Sequence, residues 1–512
     1  MKHSRPWLVA VAVLLAAIVP AAAQDVEKYA MNVTVHKLDN GLTVLIDRRP
    51  VAPVFSFFTF VDVGATQEVP GITGLAHMFE HMAFKGTSVV GTKDYPKEKE
   101  ALAAVDAAYH AYDTERRKPG GSDPAKLEAA KKRWKDAQDA ADAFIEKNEF
   151  SRIVDEAGGV GMNASTNSDQ TVYFYSMPAN KVKLWAYLES SRFLDPVFRE
   201  FYKERDVVME ERRLRTESTP TGRLFEQFLA TAFLAHPYKQ PVVGYMSDLM
   251  AFSREDAEAF FRKNYVPANL TVAIVGDVKP DEVIPLVDKY FGRIPAGPKP
   301  DPLRTIEPPQ TAEKEVILID PSQPVYMEAY HRPEGTSPDD AVYDVIADVL
   351  ATGRTSRLYR DMVRDKKIAL NTGVSSTLPG GKYPTLISIR ALPAPGHTNA
   401  EVQAAIREQL DKLKNEPISA EELKNVKTRA KAGLIRGLAS NSGIATQLAF
   451  AQARYGDWRE IFKSVDRIEK VTAEDVQRVA KATFVATNRT VGRIENHDAS
   501  AAMRKDKEED AR

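Results

Sequence analysis

The segment His77-Met78-Phe79-Glu80-His81 has the residue types and spacing of a metal-dependent hydrolytic site. Two histidines four residues apart lie on one face of a helix, so both imidazoles can reach a single ion. Glu80, three residues after His77, projects along the edge of that face. Zinc lowers the pKa of a water that it binds, and a nearby carboxylate can take the proton and pass it to a leaving amine. The motif therefore predicts His77 and His81 as zinc ligands and Glu80 as the catalytic base.

A catalytic zinc site needs a third protein ligand, and the sequence restricts its type. There is no cysteine, so the ligand must be a histidine or a carboxylate. Glu204 and Glu211 lie seven residues apart, two helical turns, with Val208 on the same stripe, and two acids on such a stripe favour a bound cation. Glu210 lies off this stripe, so we expect its side chain to be solvated and not to bind the ion. His236 remains the alternative histidine ligand.

The elements expected around the motif are mixed strands and helices. A hairpin with an Asn-Gly turn is predicted over 32–48, and strands over 54–63 and 170–176. Helices are predicted over about 180–193 and 198–216. Residues 97–149 are rich in Ala, Lys, Glu and Asp, and a Pro-Gly-Gly-Ser-Asp-Pro turn interrupts them. We therefore expect a helical insertion of two antiparallel helices there, which could be a solvated hairpin, a docking surface or a lid.

The sequence repeats itself across a proline-rich linker at 296–315. Residues Glu255-Asp256, Tyr265-Val266 and Asn269 recur 219 positions later as Glu474-Asp475, Phe484-Val485 and Asn488. This predicts an α+β fold of two similar α/β sandwich domains related by duplication, each an antiparallel-rich sheet covered by helices. The expected domains are 24–295, with the helical insertion at 97–149, and 316–495. Residues 496–512 form a charged tail.

The first 23 residues have the features of a signal peptide. Lys2 and Arg5 precede a short apolar run, and Ala21-Ala22-Ala23 offers small residues for cleavage. A membrane anchor is the alternative, but the apolar run is short for a span. We therefore expect a periplasmic or secreted protein with no membrane attachment after cleavage. The net charge of −1 gives no basic excess that would indicate nucleic-acid binding.

The motif and its surroundings resemble a known family. His77 to His81 is the inverted zinc motif of the inverzincins. The run from Gly74 to Thr87, together with Asn163-Ala164-Ser165-Thr166 and the segment from Glu204 to Glu211, is similar to the pitrilysin/insulinase family of zinc metallopeptidases. The resemblance is to its half-length type, like the mitochondrial processing peptidase subunits. It covers essentially all of the chain after residue 23.

The resemblance implies specific roles for further residues. Glu211 would be the third zinc ligand of one Zn²⁺ per chain, and Glu204 would support the site without binding the ion itself. Asn163 and Ala164 would belong to an edge that pairs with an extended peptide. In the second domain Arg364 matches a substrate-binding arginine, but Asn371 stands where active members have a tyrosine. The resemblance thus implies a homodimer, or a heterodimer in which a second family member supplies an Arg/Tyr pair.

Three functions are consistent with these residues. The first is a zinc metalloendopeptidase that cleaves unfolded peptides or extended protein segments. The second is a non-catalytic scaffold subunit of a family heterodimer, which the asparagine at position 371 favours. The third is a peptide-binding module that uses the same edge without cleavage. The complete set of His77, Glu80, His81 and Glu211 favours the peptidase.

Overall fold

A computed structural model describes residues 32–496. The predicted signal peptide and nearly all of the predicted charged tail lie outside the described residues. In the described part no helix has the length and apolar character needed to cross a membrane.

The strands form two sheets. The first has six strands in the order β1-β2-β6-β3-β5-β4, and the second has five in the order β7-β11-β8-β10-β9. Their bounds are β1 Val33–Lys37, β2 Thr43–Arg48, β3 Val54–Val61, β4 Val160–Thr166, β5 Thr171–Pro178, β6 Leu270–Gly276, β7 Lys314–Ile319, β8 Val325–Arg332, β9 Ala369–Leu378, β10 Thr385–Pro393 and β11 Arg489–Glu495.

The helices lie on both faces of these sheets. Their bounds are α1 Leu75–Met82, α2 Tyr95–Arg116, α3 Pro124–Asp142, α4 Glu149–Glu156, α5 Val182–Leu194, α6 Phe201–Arg212, α7 Pro220–Ala232, α8 Met246–Leu249, α9 Arg254–Asn264, α10 Pro280–Phe291, α11 Asp340–Ala351, α12 Asn399–Asn415, α13 Ala420–Gly437, α14 Asn441–Tyr455, α15 Glu460–Lys470 and α16 Ala473–Thr483. Two π-helical turns, Arg213–Glu217 and Tyr359–Asp365, follow α6 and precede β9.

The duplication is visible in the strand pairing. β2 pairs parallel with β6, and β7 pairs parallel with β11. In both sheets the remaining neighbours are antiparallel, so β6-β3-β5-β4 corresponds to β11-β8-β10-β9. The predicted α+β fold of two similar sandwich domains is therefore confirmed. The domain boundaries stay predictions, and β7 begins at Lys314, inside the range predicted for the linker.

Each sheet is covered on one face by its own helices and on the other by a helix from the opposite half. In the first sheet, apolar residues of β3 and β5 pack against Trp185 of α5 and Phe291 of α10. Its other face, including Phe58 and Phe60, packs against Leu448 and neighbouring residues of α14. The second sheet receives α7 from the first half in the same way. This reciprocal exchange buries both faces of the central strands β3 and β6 of the first sheet and β8 and β11 of the second.

The helical insertion consists of α2 and α3, which pack against each other and against α6. Asp94 caps α2 by accepting from the backbone N–H of Lys97, so the first helix begins two residues before the predicted bound. Trp134 of α3 stacks on Tyr112 of α2 with ring centroids 5.1 Å apart. It also meets Tyr202 of α6 edge-on at 5.2 Å. The insertion is therefore joined through aromatic contacts to the helix that carries the two predicted acids.

Candidate metal centre

Helix α1 is held in place by a buried carboxylate at its N-terminus. Gly74 precedes the helix with φ of 96°, a left-handed conformation that glycine adopts without strain. Glu68 accepts hydrogen bonds from the backbone N–H groups of Gly74 at 2.8 Å and Ala76 at 2.7 Å. Burial raises the pKa of Glu68 to about 8, against the effect of those two hydrogen bonds. Met78 and Phe79 are buried in the core, which leaves the histidine face turned towards α6.

Helix α6 presents its acids to that face. Its Val208 is fully buried and Arg205 nearly so, which fixes the rotation of the helix. The Arg205 guanidinium lies 5.0–5.6 Å from the ring centroids of Tyr109, Trp134 and Tyr202. Cation–π contacts of this kind are strongest when desolvated. The insertion therefore helps to set the orientation of α6.

Two histidines and one glutamate converge at the interface of α1 and α6. Nε2 of His77 lies 3.6 Å from Oε2 of Glu211, and Nε2 of His81 lies 3.3 Å from the same oxygen. One donor atom from each residue lies within 4.8 Å of the other two. Among residues 32–496 this is the one group of three His, Asp or Glu side chains close enough to hold a metal ion.

The two histidines differ in protonation, and His77 is the one held in the neutral form that a metal requires. Burial lowers the pKa of His77 to about 4, so its imidazole is neutral near pH 7 and has a lone pair to offer. Burial also lowers the pKa of His81, but the carboxylates of Glu204 and Glu211 outweigh this effect and raise the pKa above its ordinary value. Nδ1 of His81 lies 3.5 Å from Oε2 of Glu204. This contact favours the tautomer with a proton on Nδ1, which leaves Nε2 free to bind a cation.

The Glu211 carboxylate is placed to give one oxygen to a bound cation. Oε1 of Glu211 lies 2.5 Å from Nη1 of Arg215, whose side chain is 76% exposed. The other oxygen of the same carboxylate faces the histidines, which is the geometry of a monodentate ligand. Two imidazoles in their neutral form and one carboxylate are a ligand set of catalytic zinc sites. The residues present therefore fit Zn²⁺.

Glu80 lies half-buried at the edge of this cluster. Burial raises the pKa of its carboxyl group, and a side-chain hydrogen bond with Thr166 of β4 opposes that rise. His81 lowers the pKa of Glu80 and Glu211 raises it. A carboxyl group whose pKa lies closer to neutrality than usual is suited to take up and release a proton.

Comparison with known proteins assigns the family. Residues 43–115 match the model described as insulinase, peptidase family M16, and residues 251–430 match the model described as the peptidase M16 inactive domain. The chain belongs to peptidase family M16. Its relatives include proteins named as zinc proteases, and the family includes proteins of half length.

Two relatives and one solved structure illustrate the range of the family. The chain is 28% identical to the zinc protease PqqE of Helicobacter pylori over 421 residues, which cover 80% of each protein. It is 22% identical to an Arabidopsis thaliana protein named "Probable mitochondrial-processing peptidase subunit beta, mitochondrial", over 86% of this chain and 74% of that one. The crystal structure of a protease from Helicobacter pylori superposes with a TM-score of 0.75 at 24% identity, over 90% of this chain and 99% of that chain. This likeness shows a shared fold.

The predicted peptide-binding residues of this M16 protein lie on an edge strand. β4 pairs with β5 on one side only, and the pairing is irregular between Val160 and Asn163. Asn163 is exposed and Ala164 is buried. The Thr166 hydroxyl donates to the backbone carbonyl of Ala76 in α1 at 3.4 Å. The free edge of β4 therefore lies beside the helix that carries the histidines.

Arg364 is not brought to the metal cluster within this chain. It lies in the π-helical turn before β9, is 57% exposed, and pairs with the adjacent Asp365 at 2.6 Å. The polar pocket that it lines includes Arg357 and Glu422 but none of the predicted metal ligands. His236, the alternative ligand, is also elsewhere: its Nδ1 accepts from the backbone N–H of Tyr238.

Lys85 and Thr166, which have no role predicted from the sequence, also contact the site. Lys85 places its Nζ 2.5 Å from Oε1 of Glu204 and 3.0 Å from Oε2 of Glu200. It lies four residues after His81, so the helical spacing that singled out the histidines could have identified it. Thr166 could not have been found this way, because its contact with Glu80 depends on how β4 packs against α1.

Proposed function

We propose that this M16 protein is a zinc-dependent endopeptidase that cleaves unfolded peptides or extended protein segments. The observation that carries the proposal is the convergence of His77, His81 and Glu211 beside Glu80. A structural zinc site is closed by four protein ligands, whereas three ligands leave a position open for water or substrate. The neighbouring acid distinguishes this arrangement from a simple metal-storage site.

The chain's own residues have separate roles in this reaction. His77, His81 and Glu211 would hold the ion, and Glu204 would keep His81 in the tautomer that binds it. Bound zinc would supply Lewis acidity and lower the pKa of water. Glu80 would take the proton from the attacking water on its carboxylate and deliver it to the nitrogen of the departing amine. The pKa of Glu80, raised by burial, suits both transfers.

The free edge of β4 supports the proposed substrate class. A peptide that adds to this edge as a strand is held by backbone hydrogen bonds, which do not depend on its side chains. Such binding requires the substrate to be extended next to α1. It therefore favours unfolded peptides over folded proteins and imposes no strict side-chain motif.

A second candidate is a non-catalytic scaffold or peptide-binding subunit of a family heterodimer. Two observations favour it: Asn371 stands in place of the expected tyrosine, and residues 251–430 match a model described as inactive. However, His77, Glu80, His81 and Glu211 all lie outside 251–430. The match to the inactive model thus begins after all four of these residues and includes none of the metal cluster.

We further propose that the active form is a dimer located in the periplasm or outside the cell. The family contains half-length proteins, and one relative is named as a subunit. In a heterodimer, another M16 protein would supply the Arg/Tyr pair that Arg364 and Asn371 do not complete here, whereas a second copy of this chain would carry the same Asn371. The leader-like residues 1–23 support the location. Size-exclusion chromatography with light scattering tests the dimer, and a monomer with full activity would contradict it.

The decisive experiment compares the purified protein with a Glu80→Gln variant. Zinc content is measured by elemental analysis, and cleavage is followed with a mixture of quenched fluorescent peptides. We expect about one zinc per chain in both proteins and a loss of cleavage of about 10²-fold or more in Glu80→Gln, because Gln cannot accept the proton. Absence of zinc from the unaltered protein would refute the proposal that it is a zinc-dependent peptidase. Zinc binding without cleavage, even with a second M16 protein added, would favour the non-catalytic subunit.

A further inference from the structure

Glu98 and Arg199 form an ion pair that is completely enclosed by the protein. Glu98 lies on α2 in the helical insertion, and Arg199 lies in the segment that leads into α6. Their side chains are 0% and 1% exposed, and Nε of Arg199 donates to Oε1 of Glu98 at 2.7 Å. Nη2 of Arg199 donates to the second carboxylate oxygen at 3.3 Å. A buried charge persists only when it is paired and hydrogen-bonded. This pair therefore holds α2 and the segment before α6 in one relative position.

The remaining donors of Arg199 bind the loop that follows α1. Nη1 donates to the backbone carbonyls of Lys85 at 2.5 Å and Val90 at 3.0 Å, and Nη2 donates to that of Thr87 at 2.7 Å. All five guanidinium N–H groups are therefore used. One side chain ties together the insertion, the loop after the histidine helix and the start of the glutamate helix.

Two glycines allow this close approach. Gly86 and Gly91 have φ of 92° and 90°, conformations that other residues rarely adopt. A Cβ atom at these positions would lie 2.9 Å and 2.6 Å from Nη1 of Arg199. The loop is thus shaped around the guanidinium.

A chain of polar contacts continues from this loop to a predicted metal ligand. The ammonium group of Lys85, whose carbonyl accepts from Arg199, contacts Glu200 and Glu204. Glu200 has φ of 57°, a left-handed conformation that is uncommon for residues other than glycine. Glu204 in turn contacts Nδ1 of His81 at 3.5 Å. The contacts therefore run without a gap from Glu98 in the insertion to His81.

We propose that the helical insertion is a brace for the metal centre, and that Glu98 and Arg199 are positioning residues that set the separation of α1 from α6. The inference rests on the metal site of the proposed function. His77 and His81 come from α1 and Glu211 comes from α6, so the distance between these helices determines whether the three donors meet. The insertion contributes through contacts that are buried on the inner side of α2, and neither a moving lid nor a docked partner is needed for this role.

The test measures zinc affinity separately from stability. Glu98→Gln keeps the size of the side chain but removes the charge that orients Arg199. Asp106→Asn is the matched control, because Asp106 lies on the same helix, is 7% exposed and pairs with Arg254. Arg254 lies on α9, which carries no predicted ligand. Both variants are expected to lower the unfolding temperature of the metal-free protein.

Zinc affinity is measured by competition with a chelator, at a temperature where circular dichroism shows each protein to be folded. We expect Glu98→Gln to bind zinc about 10-fold more weakly than the unaltered protein, and Asp106→Asn to bind it within about 2-fold, because perturbed support of a ligand costs about 10–100-fold in affinity. Unchanged zinc affinity in Glu98→Gln, or an equal loss of zinc affinity in Asp106→Asn, would overturn the proposal that the insertion braces the metal centre.

Arg199→Lys provides a second, independent measurement. It keeps a positive charge opposite Glu98 but loses the planar fork that binds the three carbonyls. We expect weaker zinc binding here too, and this variant decides the question if Glu98→Gln does not fold. Unchanged zinc affinity in a folded Arg199→Lys would overturn the brace. Failure of the unaltered protein to bind zinc would instead overturn the proposed function, and this inference with it.

Discussion

Arg454 of α14 donates a hydrogen bond to the carboxylate of Asp169 across the boundary between the two halves, at 3.3 Å. Asp169 lies in the turn between β4 and β5 and is 2% exposed. Its Oδ1 accepts from the Tyr238 hydroxyl at 2.7 Å, and its Oδ2 accepts from the backbone N–H groups of Gly381 and Lys382 at 2.8 and 2.9 Å. One buried carboxylate thus joins elements from both halves.

We expect Asp169→Asn to lower the free energy of unfolding by about 3 kcal/mol, because removing one partner of a buried pair leaves the other uncompensated. The amide group would also present N–H donors to the N–H groups of the 381–382 turn. Denaturation in urea, followed by tryptophan fluorescence, measures the change. Asp457→Asn is the control, since its side chain is 32% exposed and its ion pairs should contribute less than about 1 kcal/mol. Equal effects of the two substitutions would contradict the role of Asp169.

The exchange of helices between the halves makes a second prediction. Gly492 lies on β11 where α7 crosses it, and a Cβ atom there would come within 2.7 Å of Cδ2 of Phe228. Phe228 is fully buried, so it has little room to move. We expect Gly492→Val to destabilise the protein by about 1–3 kcal/mol through overpacking, as measured by thermal unfolding.

Gly373→Val is the matched control for this prediction. Gly373 also lies in a strand, β9, but a Cβ atom there would meet no heavy atom within 4 Å. Valine favours strands, so the substitution should leave the unfolding temperature unchanged or raise it. If Gly492→Val were tolerated as well, the close packing of α7 on the second sheet would be incorrect.

The parts of the molecule that the sequence predicted are those determined by local spacing. The four-residue separation of His77 and His81 predicted a shared helical face, and the 219-residue repeat predicted the duplication. The exchange of α7 and α14 could not be predicted, because amphipathic spacing shows that a helix buries one face but does not show which sheet receives it. The buried position of Asp169 was equally hidden, since its partners are 69 to 285 residues away.

The sequence also predicted that Glu211, and not its neighbour Glu210, is the acidic ligand of the cluster. Substituting each of these two residues tests that choice. Glu211 faces the histidines, whereas Glu210 is 62% exposed and pairs with Arg213. We expect Glu211→Gln to weaken zinc binding by about 10-fold or more, because a neutral amide oxygen is a poor ligand for Zn²⁺ compared with a carboxylate. Glu210→Gln should bind zinc as the unaltered protein does. Equal affinities in a chelator competition would mean that Glu211 is not a ligand.

His236 makes the stability of the protein depend on pH at a place distant from the cluster. Its side chain is 2% exposed, and its Nδ1 accepts from the backbone N–H of Tyr238 at 3.1 Å. Burial lowers the pKa of His236 from 6.5 to about 4, although Glu307 and Asp169 act in the opposite direction. A proton on Nδ1 would remove the acceptor, so the neutral form is the one that the fold requires.

The sign of the effect follows from proton binding in the two states. Between pH 6.5 and about 4 the unfolded chain binds a proton at His236 more readily than the folded chain does. Stability that is present above pH 6.5 is therefore lost progressively as the pH falls through this range. In His236→Asn the amide oxygen can still accept from Tyr238, but nothing titrates. We expect the unfolding temperature of the unaltered protein to fall more steeply between pH 7.5 and 5 than that of the variant, by a few degrees in total. All other titrating groups are shared, so parallel profiles would show that His236 does not control this dependence.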